Sequence, residues 1–458
     1  MTAEPPSAGS APWRHSRAHG RAAALGVGAL VVGVLVHRPD LALFGVPLTL
    51  VAVWGALAKP REQPRLAVGV AHDSLREGEA TRWQASLQPV PGVAELSVAL
   101  PERAFVDHRP GRRAVIAAAG SQVDGIAVDA VCRFARWGPY TIGPAAVTAS
   151  SPWGAYRWSP AVAPSAGVTV VPLPQRFTAH GPMPHPDGLV GPNRSHRPGD
   201  GSEMADIRPF RAGDRLRRVH WPVSLRTQQL HVTATYADQD TEVALLLDAV
   251  HDLGVSEGLG GLSSSLDGTV RAAGAIAEHF LTRGERVSLT VLGGGSTPHL
   301  SARTGRRHLM RLSGVLATVH PSHGTVADER HLTRALRGRV NAGAVVVVLT
   351  PLVSTEVLDH AVNLSRHGHT VVVVDTLPAH LATPDVDPAA LRGVVPEGSE
   401  DDPRAALAWR LRLLERARQA RLAGEAGVPV VAWRGPGTLD EVLADVNRRR
   451  RAPRLVAR

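Results

Sequence analysis

The sequence predicts an α/β protein built around a doubly wound parallel sheet, with a small β-sandwich before that sheet and a membrane-spanning helical hairpin at the start. Three observations carry this reading. Two uncharged apolar runs, Ala22 to Val36 and Leu41 to Ala58, stand almost adjacent near the N-terminus. Between residues 65 and 171 short segments alternate apolar and polar residues, the pattern of half-buried strands. Beyond residue 241 continuous apolar runs alternate with helical stretches, as in a parallel sheet covered on both faces.

The hairpin comes first. Each run approaches the roughly 17–25 residues of a spanning helix, the first reaching it if Arg21 and His37 snorkel. Residues 22–58 form the predicted hairpin, with Pro39 and Asp40 in its turn. Arg14, Arg17 and Arg21 precede it, and Lys59, Arg61 and Arg65 follow it, while Arg38 in the turn is offset by Asp40. The positive-inside rule then places residues 1–21 and all that follows the hairpin in the cytoplasm of a two-helix membrane protein. A cleaved signal peptide fits less well, because a second apolar run follows at once. A helical hairpin buried in a soluble domain is the competing expectation.

In residues 65–171, "RLAVGVAH", "EATRWQASLQ", "AELSVALP", "RAVIAAA", "GIAVDAVCRFAR" and "AAVTASS" are strand candidates separated by Gly, Pro and Asp turns, a spacing typical of a small β-sandwich. Cys132 is the single cysteine, which excludes an internal disulfide and any cysteine-rich metal cluster. Residues 172–240 hold a segment rich in Pro, Gly and His, read as an extended loop from Pro172 to Arg197, and then a charged stretch. His180, His185 and His196 have no recognisable metal-ligand spacing and are read as solvated loop residues.

The α/β domain spans residues 241–448. Its expected strands are "TEVALLLDAV", "RVSLTVLG", "AGAVVVVLT", "HTVVVVDTL" and "VPVVAW". "DGTVRAAGAIAEHFLTRG" reads as a helix capped by Asp267 and stopped by Gly284, and a second helix follows Asp402-Pro403, with Leu407, Leu411 and Leu414 on one face. The Gly/Ser-rich loop from Val255 to Gly268 lacks phosphate-loop spacing. Residues 449–458 form a basic tail that could touch anionic lipid.

Ligands of open α/β sheets bind beyond the carboxyl ends of the strands, which directs attention to Asp248. The chain there reads "DAVHD". Just upstream, "GDGSEMADIRPFRAGDRLRRVHW" (Gly199 to Trp221) interleaves carboxylates with arginines, so local pairing can neutralise much of its charge, while Ile207, Phe210, Leu216, Val219 and Trp221 offer apolar anchors.

This stretch resembles the hallmark of bacterial membrane proteins that carry the domain of unknown function 58, a run of the form "GSEF...LRPYxxGDxxRxIxWxxxARTxxLxVR". Here it is represented by Gly201, Ser202, Glu203, Ile207, Arg208, Pro209, Phe210, Gly213, Asp214, Arg217, Trp221, Arg226, Thr227, Leu230 and Val232, with Leu225-Arg226 in place of "AR". "RFARWGPYTIGPAAVTASSPWGAYRW" (Arg133 to Trp158) is similar to the family's "RRGxYxLGPxxVxxxDPFG", with Ser151 for Asp and Trp153 for Phe. The resemblance implies a von Willebrand factor A-like fold for the α/β domain and association with MoxR-type AAA+ ATPases and transglutaminase-like membrane proteins; it implies no established reaction. A Mg²⁺-binding domain of that kind shows Asp-x-Ser-x-Ser, whereas Val250 stands here where a hydroxyl belongs. Asp248 and Asp252 are the candidate ligands of a degenerate site, and no cofactor is expected.

The chain has 51 Lys+Arg against 41 Asp+Glu, and Lys59 is its one lysine. Arginine favours forked pairing with carboxylates or phosphates, but no nucleic-acid signature accompanies the charge, so no nucleic-acid partner is expected. GxSxG, HExxH and Walker-type motifs are missing from the sequence, Cys132 has no identifiable activating histidine, and no catalytic residue is expected. The expected function is a non-enzymatic membrane adaptor that engages a MoxR-type ATPase or its client. Gly201, Ser202, Glu203, Arg208, Pro209, Phe210, Gly213, Asp214, Arg217, Trp221 and Arg226 serve as partner-binding or structural residues. A divalent-metal-binding interaction module is the first alternative, and a nucleic-acid-binding membrane protein ranks behind it.

Overall fold

The computed structural model describes residues 12–109, 115–119, 125–160, 163–173, 193–211, 214, 216–239, 242–293, 298–321, 340, 344–353 and 355–434. The chain forms two compact units, Met1–Val171 and Pro172–Arg458. The expected basic tail, Gly213, His180, His185 and residues 1–11 lie outside the described residues.

The first unit opens with strand β1 (Arg14–His15), followed by helices α1 (Arg17–Leu35) and α2 (Pro39–Leu57). Both helices are long and apolar enough to cross a membrane. They pack through glycine: a Cβ on Gly26 would meet the Thr49 backbone nitrogen at 2.9 Å, and one on Gly45 would meet the Gly26 carbonyl oxygen at 2.7 Å. Small residues let helix backbones approach closely in this way. Leu25, Val34, Leu43, Phe44, Leu50 and Trp54 project outward and are exposed, the reverse of a hairpin buried in a soluble core. Pro39 and Asp40 belong to the first turn of α2 rather than to the connection, which is formed around His37 and Arg38. Proline suits this position because a first-turn N–H has no intrahelical acceptor.

Eleven strands follow among the described residues: β2 (Leu66–Val70), β3 (Ser74–Arg76), β4 (Ala80–Leu87), β5 (Glu95–Ala99), β6 (Val106–Arg109), β7 (Val115–Ala119), β8 (Ile126–Phe134), β9 (Gly138–Ile142), β10 (Ala146–Ser150), β11 (Tyr156–Trp158) and β12 (Ala166–Val171). They form sheets ordered β1-β11-β10-β5-β7, β2-β4-β8-β6 and β3-β12-β9. The period-two pattern is literal in β8, where buried and exposed residues alternate from Ile126 to Phe134. Trp83, Leu96, Val98, Phe134 and Trp158 meet in one core. All six strand candidates are present, and the short β3, β6, β9, β11 and β12 add to them.

In the second unit the expected loop ends early. Asn193–Pro209 is strand β13, paired antiparallel with β14 (His231–Gln239) on either side of a short helix α3 (Trp221–Thr227). The α/β part follows: β15 (Glu242–Asp248), α4 (Ser265–Thr282), β16 (Arg286–Leu292), β17 (His299–Arg303), α5 (Arg306–Ala317), β18 (Val345–Thr350), α6 (Thr355–Arg366), β19 (Thr370–Asp375), α7 (Pro403–Glu425) and β20 (Val430–Ala432). The sheet order is β17-β16-β15-β18-β19-β20, with every pairing parallel except that of edge strand β17. Ala244, Leu246, Val346, Val348, Val371 and Val373 form one face, with Val357, Leu358 and Ala361 of α6 and Ala423 of α7 packed on it. Helix α4 touches β15, β16 and β18, and its Leu266, Val270 and Ile276 are buried. Every residue of β15 is buried, as its continuous apolar run requires.

One helix expectation needs correction. The cap of α4 is Ser264, and Asp267 is the reciprocal partner three residues on, a capping box that satisfies two otherwise unpaired amides. In α7 the inward side carries Trp409, Arg416 and Ala423, spaced seven apart, while Leu407, Leu411 and Leu414 share the outward face and are exposed. Helical periodicity showed that these leucines share a face but not which way the face points. The deciding side chain is Arg416, whose Nη2 donates to both carboxylate oxygens of Asp375 at the end of β19, each at 2.7 Å, and whose Nε donates to the Pro351 carbonyl.

Candidate functional site

The family-like stretch folds as the tip of the β13–β14 hairpin. Gly199 and Met204 both lie opposite Thr235, so the backbone of Gly201, Ser202 and Glu203 falls within a bulge; their side chains lie outside the described residues. Regular pairing resumes with Ile207 opposite Thr233, Arg208 opposite Val232 and Pro209 opposite His231. The Phe210 N–H then donates to the Leu230 carbonyl. Beyond this point Asp214 ties back onto the hairpin.

Asp214 accepts a two-pronged bond from Arg208, Nη1 to Oδ2 at 2.8 Å and Nη2 to Oδ1 at 2.6 Å, and a third from the Arg211 backbone N–H. The fork explains why Arg stands at 208: a planar guanidinium satisfies both carboxylate oxygens at once. The Arg208 side chain, then the Arg211 amide, hold the Asp214 carboxyl below its ordinary pKa.

After Asp214 comes a single helical turn, Leu216–Arg218. Val219, buried, bridges to Val232, and the His220 N–H donates to the His231 carbonyl. His220 caps α3 through Nδ1, which accepts from Val223. Ser224 joins the two arms: its hydroxyl donates to the His220 carbonyl and accepts from the His231 N–H, each at 2.9 Å. Sequence reasoning passed over Ser224, since no charge or spacing marks it.

The outer surface differs from the buried anchor expected. Val219 is buried as anticipated, and Ile207 and Phe210 are partly covered. Trp221 is 60% exposed, Leu216 71% and Leu225 76%. Arg217 and Arg226 are exposed beside them in sequence and make no ion pair among the described residues. Asp214 therefore serves the fold through Arg208, while Arg217, Trp221 and Arg226 are left facing solvent. Exposed aromatic and arginine side chains are what partner surfaces favour.

At the carboxyl end of the sheet, Asp248 is buried. Its Oδ1 accepts from the Val250 N–H at 3.1 Å and its Oδ2 from the Thr350 hydroxyl at 2.7 Å. Burial pushes its carboxyl up, against the pull of Thr350 and Val250. Asp252 Oδ1 accepts from the Leu266 N–H at 2.9 Å and from the Ser265 hydroxyl at 3.4 Å, at the start of α4. Each carboxylate thus has an internal task, and the Val250 side chain brings no ligating oxygen. This arrangement does not fit a Mg²⁺ site of the Asp-x-Ser-x-Ser kind.

Cys132 has a histidine neighbour that the sequence did not single out. His108 Nδ1 lies 3.3 Å from its Sγ inside the sandwich. The thiol is fully buried, and burial pushes its pKa up to about 11. A protonated, enclosed thiol is the opposite of an activated nucleophile.

These features define an α/β protein with two candidate membrane helices and a hairpin tip that presents aromatic and basic groups. Residues 206–420 match the family model described as "Protein of unknown function DUF58", a span running from the motif hairpin to near the end of α7. The chain is also similar to uncharacterised bacterial proteins from Mycobacterium bovis and Mycobacterium tuberculosis, 29% identical over 271 residues, which is 57% of this chain and 83% of each relative.

Proposed function

We propose that this chain is a membrane-anchored, non-enzymatic adaptor whose motif hairpin and α/β domain engage a MoxR-type AAA+ ATPase or that ATPase's client on the cytoplasmic side of the cell membrane. The observation that carries this reading is the tip itself: Leu216, Trp221 and Leu225 stand exposed alongside Arg217 and Arg226. Arginine side chains that make no ion pair among the described residues complement an acidic partner surface and give docking its register. The exposed leucines of α7 extend the apolar area available on the same domain. A von Willebrand factor A-like assignment for this domain is supported by the central position of its first strand and by its single antiparallel edge strand.

Affinity isolation of the detergent-extracted full chain from its host, with ATP or ADP, tests the proposal. A MoxR-type ATPase identified in the wild-type sample and lost with Arg217→Glu and Trp221→Ala supports it, provided Asp214→Asn acts only through loss of hairpin order. An ATPase retained by both outward variants removes the tip from the interface. Its absence under every nucleotide condition overturns the adaptor reading.

A further inference from the structure

The second family-like run, Arg133 to Trp158, ends in the turn Ser151-Pro152-Trp153-Gly154, which nothing above assigns to a task. We propose that this turn is a lipid-interface anchor, with Trp153 seated among headgroups at the end of the helical hairpin where α1 begins and α2 ends. The proposal rests on the reading of the hairpin as membrane-spanning.

Three hydrogen bonds and one strand pairing fix the height of this region on the hairpin. The Ser16 N–H, just before α1, donates to the Ala155 carbonyl at 2.8 Å. The Tyr156 hydroxyl donates to the Ala56 carbonyl, near the end of α2, at 3.2 Å. The Trp13 indole N–H donates to the Glu62 carbonyl at 2.9 Å, and β1 pairs with β11 through Arg14 opposite Arg157 and His15 opposite Tyr156. The turn itself touches both helices. Gly55 completes the fit, since a Cβ there would stand 2.6 Å from His19 Nε2 and 3.0 Å from the Ala155 Cβ.

At that level Trp153 is 66% exposed with φ +62°, a left-handed conformation disfavoured for a bulky side chain. The Gly154 N–H to Ser151 carbonyl bond and the Tyr156 N–H to Ser151 hydroxyl bond hold the backbone there. In this conformation the indole stands outside the sandwich core. Arg14, Arg17, Lys59 and Arg61, all exposed, flank the same helix ends. An outward indole among cations, level with the ends of spanning helices, fits the membrane–water interface, where tryptophan is enriched and basic groups meet anionic headgroups.

The test uses the full chain in nanodiscs of phosphatidylcholine and phosphatidylglycerol, with a fluorophore on Trp153→Cys and, as a control, on the exposed Asp129→Cys of β8. Buried Cys132 stays unlabelled under native conditions. Nitroxide lipids labelled at the headgroup should quench the probe at 153 more strongly than lipids labelled deep in the acyl chain, and neither should quench the probe at 129. Equal, weak quenching at both positions overturns the anchor while leaving the hairpin reading intact; release of the chain from membranes by alkaline carbonate removes both. A second measurement avoids the cysteine: hydrogen exchange at residues 151–157 in nanodiscs should accelerate in Trp153→Asp and stay unchanged in Trp153→Phe. Unchanged exchange in Trp153→Asp also overturns the proposal.

Discussion

Arg208 and Arg217 are both arginines of the motif stretch, yet they do different work, and Asp214 decides which. It can accept one fork, and the hairpin register brings Arg208 to it at 2.6 Å, leaving Arg217 outward. Because pairing depresses the Asp214 pKa, its contribution to folding is present above the unfolded carboxylate value of about 4 and disappears as pH falls through the depressed value. Hydrogen exchange across residues 208–232 should therefore quicken on acidification below that value in the wild type, and in Asp214→Asn it should already be fast at neutral pH. Asp248 has the opposite sign. Burial raises its carboxyl, so the stability it contributes is complete below the unfolded value and is lost as pH rises through the raised one. Urea titration of Asp248→Asn beside the wild type should show the variant gaining relative stability with rising pH over that range. Thr350→Val leaves Oδ2 without its donor and should cost about 1–3 kcal/mol. If Mg²⁺ were instead the natural partner of this pair, adding it would raise the melting temperature of the wild type and not of Asp248→Asn; the hydrogen bonds already made there predict no shift in either.

Elements were legible where one face decides them. The alternation in Ile126 to Phe134 and the apolar run of Glu242 to Asp248 could each be placed from sequence, because pattern and burial coincide. Short strands such as Tyr156–Trp158 were not, since three residues hold too little pattern to separate a strand from a loop. The same limit hid the motif hairpin, whose ladder is interrupted by register shifts and whose residues are mostly charged. In the candidate site, residue types announced ion pairing, but which arginine met Asp214 depended on cross-strand register, and the outward turn of Trp221 depended on the helix begun by His220. Helix α7 shows the energetic side of this limit. Its orientation follows from a buried ion pair, Arg416 with Asp375, rather than from leucines. Removing one partner of such a pair strands a buried charge, so Arg416→Met should lower unfolding free energy by about 3–5 kcal/mol, while Arg416→Met combined with Asp375→Leu should recover much of the loss. Chemical denaturation of the three proteins checks this; equal losses in the single and double variants would show that packing, not charge, sets the cost.

At the scale of the whole molecule the charges around the hairpin predict the direction it would take in a membrane. Arg14, Arg17 and Arg21 stand on one flank and Lys59, Arg61 and Arg65 on the other, while the connecting turn carries Arg38 locked to Asp40 at 2.7 Å. A cation that carries its own counter-charge is easier to move across a bilayer than a free one, whereas the flanking residues are exposed and favour the anionic cytoplasmic leaflet by about 1 kcal/mol each. Both helix ends that join the sandwich should therefore remain cytoplasmic, with the turn outside. Because Cys132 is buried and its thiol protonated at neutral pH, single introduced cysteines report location cleanly. In spheroplasts a membrane-impermeant maleimide should label Val36→Cys at the turn directly and Asp129→Cys in β8 only after the membrane is opened. The reverse pattern would place the sandwich outside, and with it the motif tip that the adaptor reading requires to meet a cytoplasmic ATPase. Labelling of both positions in intact spheroplasts would mean that the helices do not span, and the glycine seam between Gly26 and Gly45 would then be a packing feature of a peripheral hairpin.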